Sequence, residues 1–336
     1  MARSSNQKLK LIYILDILKK YSDEDHPLNA VDIAEHLSRV GINAERKAIY
    51  NDIECLEDYG CDIIRTTTPK KGCFIGDRDF EIPEIYLLSD AVRSANFISA
   101  KKTRELLAKL GGMLSVHQSK RRGSGVFFAE KEKSGNEEIY YSIDAVSRAI
   151  EEKKQIKIEY LQRGFDQNRQ VSFNKKEMVI NPYALCWEDD HYYLLGNHSK
   201  YDNLIHLRLD RISHTEILKT DARHFSEVSD YKEFFDTADY TYRLFGMHGG
   251  NVEKVEFRCS KAITEQVLDR FSEDIFITGV NETEFCFTVE AAISEALVTF
   301  VINYGENLKV LKPQKLKDMI CERAQLVLNT YKNGED

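Results

Sequence analysis

Along the first eighty residues the apolar positions recur at helical spacing. Leu9, Ile12, Leu15, Ile17 and Leu18 predict a first helix. Asn29, with Asp32 three residues on, predicts a capped start for a second, which carries Val31, Ile33, Ala34 and Leu37 and is broken by Gly41. After Asn43, a predicted N-cap, AERKAIYNDIECLEDYG turns Ile49, Ile53 and Leu56 inward and stops at Gly60. Its outward side near the N-terminus carries Glu45, Arg46, Lys47, Tyr50 and Asn51. Two short strands follow, CDIIRT and GCFIG, joined by TTPKKG with Lys70 and Lys71 at the tip.

From 81 to 140 the pattern predicts a helical connector. LLSDAVRSANFI and SAKKTRELLAKLGGML are helices, the second capped by Ser99, and KRRGSG at 120–125 is a flexible basic loop. That loop is a solvated surface or an auxiliary phosphate contact through Lys120, Arg121 and Arg122. SIDAVSRAIEEKKQ then reads as a helix capped by Ser142, and from 141 to 220 the period shifts to two. IKIEYL, MVINPYALCWEDD, HYYLLGNHS and LIHLRLDRISHTEIL are short strands, with turns at Asp190, Gly196 and Asn203. Five or so such strands in so short a span predict a small SH3-like or Sm-like barrel. Residues 221–250 read as a linker. From 251 to 336 the order βαββαβα predicts a ferredoxin-like fold with an added helix. The fold class is therefore α+β and multidomain.

Composition narrows the chemistry. The start MARSSNQKLK lacks an apolar signal region, and the most apolar run, ALVTFVINY at 296–304, is too short to cross a bilayer, so a soluble, cytoplasmic protein is expected. Seven cysteines, none spaced C-x-x-C and all among apolar neighbours, predict packed thiols with no zinc site, other metal or disulfide frame. The net charge is −8, which argues against indiscriminate coating of nucleic acid. Residues 221–336 hold thirteen Lys and Arg against twenty-one Asp and Glu, so the acidic excess lies there and any DNA contact belongs to the front half.

Helices separated by a tight turn and followed by a hairpin with a basic tip form a winged helix-turn-helix arrangement. A helix fits the major groove and is read through its first turns, while a wing touches adjacent backbone. Arg46, Lys47, Tyr50, Asn51, Lys70 and Lys71 are the candidate DNA contacts. A solvated face on a small helical domain is the alternative for any one of them. In IHLRLDRI, at 205–212, strand alternation puts Ile205, Leu207 and Leu209 on one face and His206, Arg208 and Asp210 on the other, with Arg211 following.

RKAIYNDIECLEDYGCDI with its Gly-bounded wing resembles the DNA-binding end of bacterial WYL-domain transcriptional regulators, where R-x-T-x-Y-R-D-I-x-x-L-x-x-x-G is usual. Ala48 stands where Thr is common and Asn51 where Arg is common. NPYALCWEDDHYYLLGNHSKYDNLIHLRLDRI resembles the core of the WYL domain, with Tyr192, Tyr193 and Leu194 at the eponymous positions and Tyr192 replacing the usual Trp. The acidic C-terminal module is similar to the extension found behind such domains, with Phe300 near the place of a common Trp. The resemblance implies an effector-binding patch of Tyr183, His206, Arg208 and Arg211, to which Tyr192 or Tyr193 adds a stacking surface. Two guanidiniums beside an imidazole and a phenol suit an anion, above all a phosphate, so a nucleotide or short single strand is the expected effector and no cofactor is expected. A homodimer on a palindromic double-stranded operator is the expected assembly.

Other readings of these residues remain open. Arg208 and Asp210 also suit a surface ion pair, His206 a structural role, and Tyr192 and Trp187 core aromatics. A nucleic-acid-binding adaptor without transcriptional output is one alternative function. A nucleotide-processing enzyme with His206 and Asp210 as acid and base is another, but no Gly-rich phosphate loop, H-E-x-x-H or G-x-S-x-G supports it, and a non-enzyme is expected.

Overall fold

The computed structural model describes residues 3–121, 133–165, 167, 169–273 and 275–332. The chain divides into two compact units, Met1–Gly135 and Asn136–Asp336. Arg122 and the rest of the basic loop to 132 lie outside the described residues.

The first unit begins with three helices, α1 (Arg3–Tyr21), α2 (Ala30–Arg39) and α3 (Arg46–Asp58), then a hairpin of β1 (Ile63–Thr66) and β2 (Gly72–Ile75). Asn29 caps α2: its side chain accepts from the amides of Val31 and Asp32, while the Asp32 carboxylate accepts from the Asn29 amide, a reciprocal capping box. The cap predicted for α3 is shifted. Glu45, not Asn43, is its N-cap and makes no side-chain bond there, so the first amides of α3 have no capping side chain. Ile14, Leu18, Ile33, Leu37, Ile49, Ile53 and Leu56 form one buried cluster with Ile63, Cys73 and Ile75 of the hairpin. Each such aliphatic side chain contributes about 1.5–3 kcal/mol on burial. The hairpin is tied to the start of α2 by paired backbone bonds between Leu28 and Cys73. At Gly72 a Cβ would stand 2.8 Å from the Leu28 carbonyl, so only glycine allows that approach.

Three further helices complete this unit, α4 (Ile82–Ser94), α5 (Ala100–Gly111) and α6 (Val116–Arg121). Ser99 caps α5 by accepting from the Lys102 amide. Lys120 and Arg121 end a helix rather than lying in a loop, and Arg121 is paired with Asp25.

In the second unit, α7 (Ile139–Glu151) precedes β3 (Lys154–Phe165), β4 (Val171–Glu188), β5 (His191–His198), β6 (Leu204–Arg208) and β7 (Ile212–Asp221). The sheet order is β6-β5-β4-β3-β7, antiparallel throughout, and α7 lies against β3, β4 and β7. Among the described residues β6 and β7 do not pair, so the predicted barrel is not closed by a strand ladder. Ser142 does not cap α7, which starts three residues earlier after Glu138; it is buried within the helix and bonds the Thr215 hydroxyl. Two of the predicted short strands are long, twelve residues in β3 and eighteen in β4. Gly196 makes no turn: it lies inside β5, where a Cβ would stand 2.6 Å from the Asn181 carbonyl oxygen.

After a short helix α8 (Thr237–Tyr242) come β8 (Val252–Ser260), α9 (Thr264–Phe271), β9 (Phe276–Val280), β10 (Glu284–Ala292), α10 (Glu295–Asn303), β11 (Leu308–Lys312) and α11 (Gln314–Lys332). The strand order is β11-β8-β10-β9 with antiparallel neighbours, so β8 and β9 run parallel with β10 between them. Phe257 and Phe287 stack at 5.1 Å in its core, and Phe300 packs on Phe245 and Tyr304. Cys73 and Cys259 are buried as predicted for packed thiols, but Cys55 and Cys321 are exposed. Among the described residues no helix is long and apolar enough to cross a membrane, and no group of three or more His, Cys, Asp or Glu could hold a metal ion.

Candidate nucleic-acid and effector surfaces

The apolar stripe of α3 faces the core, which leaves its first turns to present Arg46, Lys47, Tyr50 and Asn51 to solvent. Arg46 with Tyr50, and Lys47 with Asn51, are four apart and share a side of the helix. Arg46 and Tyr50 line a groove of about 780 Å³, whose other wall is the hairpin, with Arg65, Thr66 and Lys71. Lys70 points elsewhere: its ammonium is 2.8 Å from Asp32 Oδ2, so it ties the hairpin tip to the capping box of α2. Burial raises the Asp32 carboxyl pKa, but the Lys70 ammonium and the Asn29 amide outweigh it and hold the group below its ordinary value. Arg65 is a groove residue that the sequence pattern did not single out. It sits opposite Cys73 in the hairpin and is held by two bonds to Glu57, 2.7 and 3.1 Å, from the last turn of α3.

In the second unit the strand registers place Cys186, Tyr193 and Arg208 across one face, with Ala184, Leu195 and His206 one pair further along. Tyr192 pairs with Trp187 on the opposite face, so it does not share the surface that carries Tyr193. The face is also covered. The segment expected to be a linker packs on it: Leu244 and Met247 are buried against Leu195, with Phe235 and Tyr240 packed beside them. The His206 ring nitrogen Nε2 is 2.8 Å from the Tyr240 hydroxyl. Burial pushes the His206 pKa below its ordinary value, with the Met247 backbone bond opposing, so the ring is neutral at pH 7. His206 and Tyr240 reach a cleft of about 1,110 Å³, with Arg243, Lys232 and the acidic Asp202 and Glu227 on its walls.

The other predicted residues are distributed around this covered face. Tyr183 is the extra residue at an irregularity in the β4–β5 ladder, and its ring lies 6.2 Å from both Phe225 and Phe235. Its hydroxyl is buried without a hydrogen-bond partner, and burial pushes its pKa up to about 12. The strand predicted through Asp210 ends at Arg208. A single 3-10 turn, Leu209–Arg211, then carries the Asp210 carboxylate back to Arg208, which donates to it through Nε at 3.0 Å and Nη2 at 2.7 Å. Arg211 follows with its Nε buried and unbonded. Both guanidiniums bear on the Tyr193 hydroxyl, although burial prevails and holds that phenol above its ordinary pKa. Tyr193, Arg208 and Arg211 therefore form one cluster, while His206 and Tyr183 are engaged in separate contacts, His206 with Tyr240 beside the cleft and Tyr183 with Phe225 and Phe235.

Residues 142–217 match the WYL domain. The match takes in α7 from Ser142 on and the five-stranded sheet up to Ile217, and with it Tyr183, Tyr192, Tyr193, His206, Arg208 and Arg211. Among solved structures, Proteasome accessory factor B/C (PafBC) of Arthrobacter aurescens is similar at 17% sequence identity and a TM-score of 0.28, over 93% of this chain and 47% of that one. This chain thus spans about half the length of that protein. None of the curated proteins compared matches.

Proposed function

We propose that this chain is a DNA-binding transcriptional regulator whose WYL domain senses an anionic effector. The observation that carries the reading is the groove of the first unit: an uncapped helix start with Arg46, Lys47, Tyr50 and Asn51 exposed, facing a hairpin that contributes Arg65 and Lys71. We read residues 1–80 as a winged helix-turn-helix, 81–140 as its connector, 141–220 as an Sm-like sheet domain and 251–336 as a ferredoxin-like extension. Helix amides without a side-chain cap suit phosphate, and cations on both groove walls suit a backbone that follows the major groove.

In the WYL domain the effector end is assigned to Tyr193, Arg208 and Arg211, since the unbonded Arg211 Nε is a donor awaiting an acceptor. A nucleotide or the end of a single strand has the phosphate for such a site. The regulator is cytoplasmic and acts as a homodimer on a palindromic operator. The effector works by binding one arrangement of the dimer better than the other.

The test is selection of genomic fragments by the purified protein, followed by titration of the enriched duplex at several salt concentrations. Arg46→Ala/Lys47→Ala is expected to flatten the plot of log affinity against log salt by about 1.8, the loss of two phosphate contacts. An unchanged slope and affinity would remove α3 from the interface.

A further inference from the structure

The first unit holds a second cavity, of about 680 Å³, which shares no residue with the α3 groove. Its volume is that of a pocket for a small molecule. The walls come from the second half of α1, the end of α2, the segment after β2 and the turn between α5 and α6. Their apolar part is largely aromatic: Tyr13, Phe80 and Tyr21 line it, the last stacked on His36 with ring centroids 4.1 Å apart and planes at 22°. The charges in the wall are of both signs and unpaired. Asp16, Lys19, Lys20, Asp77 and Asp79 are exposed, and none of them makes an ion pair among the described residues. Elsewhere in the unit Lys10 is paired with Asp52, Lys70 with Asp32 and Arg121 with Asp25.

Arg78 lies beside them, half-buried. It closes the end of α1: Nη1 donates to the Lys19 carbonyl at 2.9 Å and the Met113 carbonyl at 3.3 Å, and Nη2 to the Ser22 carbonyl at 2.8 Å. All three acceptors are neutral, and among the described residues no carboxylate stands within ion-pair distance and Nε makes no hydrogen bond. Burial pulls the Arg78 pKa below the ordinary arginine value, with Asp23 opposing. The guanidinium has therefore lost hydration without gaining a counter-charge in contact.

We propose that this cavity binds an α-amino acid with an aromatic side chain, its carboxylate on Arg78, its ammonium on the Asp77 and Asp79 carboxylates and its ring against Tyr21 and Phe80. A zwitterion carrying a ring answers all three features of the wall at once. A simple anion would face three unpaired carboxylates, an amine would leave Arg78 without a counter-charge, and an aliphatic chain would forgo the ring faces. The site is distinct from the Tyr193, Arg208 and Arg211 cluster and does not rest on the regulator reading.

Full-length protein is titrated calorimetrically with L-phenylalanine, with phenylpropionate, which lacks the ammonium, with phenylethylamine, which lacks the carboxylate, and with L-alanine, which lacks the ring. Phenylalanine is expected to bind at least about tenfold more tightly than each of the others, the factor that one hydrogen-bonded charge or one buried ring supplies. Asp77→Asn/Asp79→Asn alters only exposed side chains and is expected to weaken phenylalanine by about tenfold without weakening phenylpropionate. Arg78→Lys is expected to weaken phenylalanine and phenylpropionate alike and to spare phenylethylamine. A merely structural defect would lower every ligand together, and if Arg78→Lys does not fold, the aspartate pair decides. A parent protein that takes up no phenylalanine at millimolar concentration would overturn the proposal. So would either truncated analogue binding as tightly as phenylalanine, or an aspartate variant that binds phenylalanine as the parent does.

Discussion

Replacing Asp210 by Asn is expected to separate stability from anion affinity and to move them in opposite directions. The carboxylate takes two charge-assisted bonds from Arg208, at 3.0 and 2.7 Å, with 5% of the Asp210 side chain and 21% of the Arg208 side chain exposed. Asn has the same shape but keeps one acceptor, and its amide group faces the guanidinium it should accept from. Breaking a fully buried pair costs about 3–5 kcal/mol. Here the Arg208 side chain is a fifth open to water and one bond is retained, so a loss of about 2 kcal/mol is expected. For a unit of this size that lowers the melting temperature of the second unit by about 4–8 °C in calorimetry. The same change removes a negative charge beside Arg208 and frees its fork for an incoming anion. Binding of inorganic phosphate or a nucleoside monophosphate, measured by isothermal titration, is then expected to tighten by about tenfold, a 1.4 kcal/mol gain well within the attraction of two charges about 5 Å apart near a surface. Weaker anion binding in a variant that still folds would refute the reasoning, because Asp210 would then be part of the binding site rather than its competitor.

Two further outcomes follow from the same sheet. Gly196→Ala places a methyl 2.6 Å from the Asn181 carbonyl oxygen and 2.9 Å from Ile180 Cγ2, so it is expected to cost about 1–3 kcal/mol in denaturant unfolding. An unchanged midpoint would mean the strands relax freely there. Tyr240→Phe removes the hydroxyl at His206 and is expected to cost about 1 kcal/mol, since the adjoining cleft lets water replace it. His206 itself, with a folded-state pKa below its unfolded value, favours the folded chain above about pH 6.5, a contribution lost as pH falls toward the depressed folded value. His206→Gln should therefore unfold with a shallower pH dependence than the parent as pH falls below about 6.5. Equal slopes in the two proteins would show that the imidazole titrates normally.

Much of the architecture was legible from local pattern. Asn29 and Asp32 announced the capping box of α2, Gly60 ended the region of α3, and the shift from a period near 3.6 to a period of two marked the passage from helices to sheet. The exposed side of α3 followed from the inward stripe of Ile49, Ile53 and Leu56. The register of β6 was likewise predictable, down to His206 and Arg208 sharing a face. Such features depend on residues a few positions apart, so the chain alone determines them.

The tertiary structure decided what those faces meet. Residues 221–250 have no period, and nothing local distinguishes a free linker from a strap; only packing shows Leu244, Met247 and Tyr240 lying over Leu195 and His206. Gly196 has the composition of a turn, yet its place is a crossing where the neighbouring backbone leaves no room for a Cβ. Arg208 and Asp210 are two residues apart in either conformation, but the 3-10 turn converts two outward groups into a nearly closed pair. Tyr192 and Tyr193 are adjacent in sequence and on opposite faces of the sheet. Periodicity says which side chains point the same way, whereas their partners are set by chain segments tens of residues away, whose position is fixed only when the whole core packs.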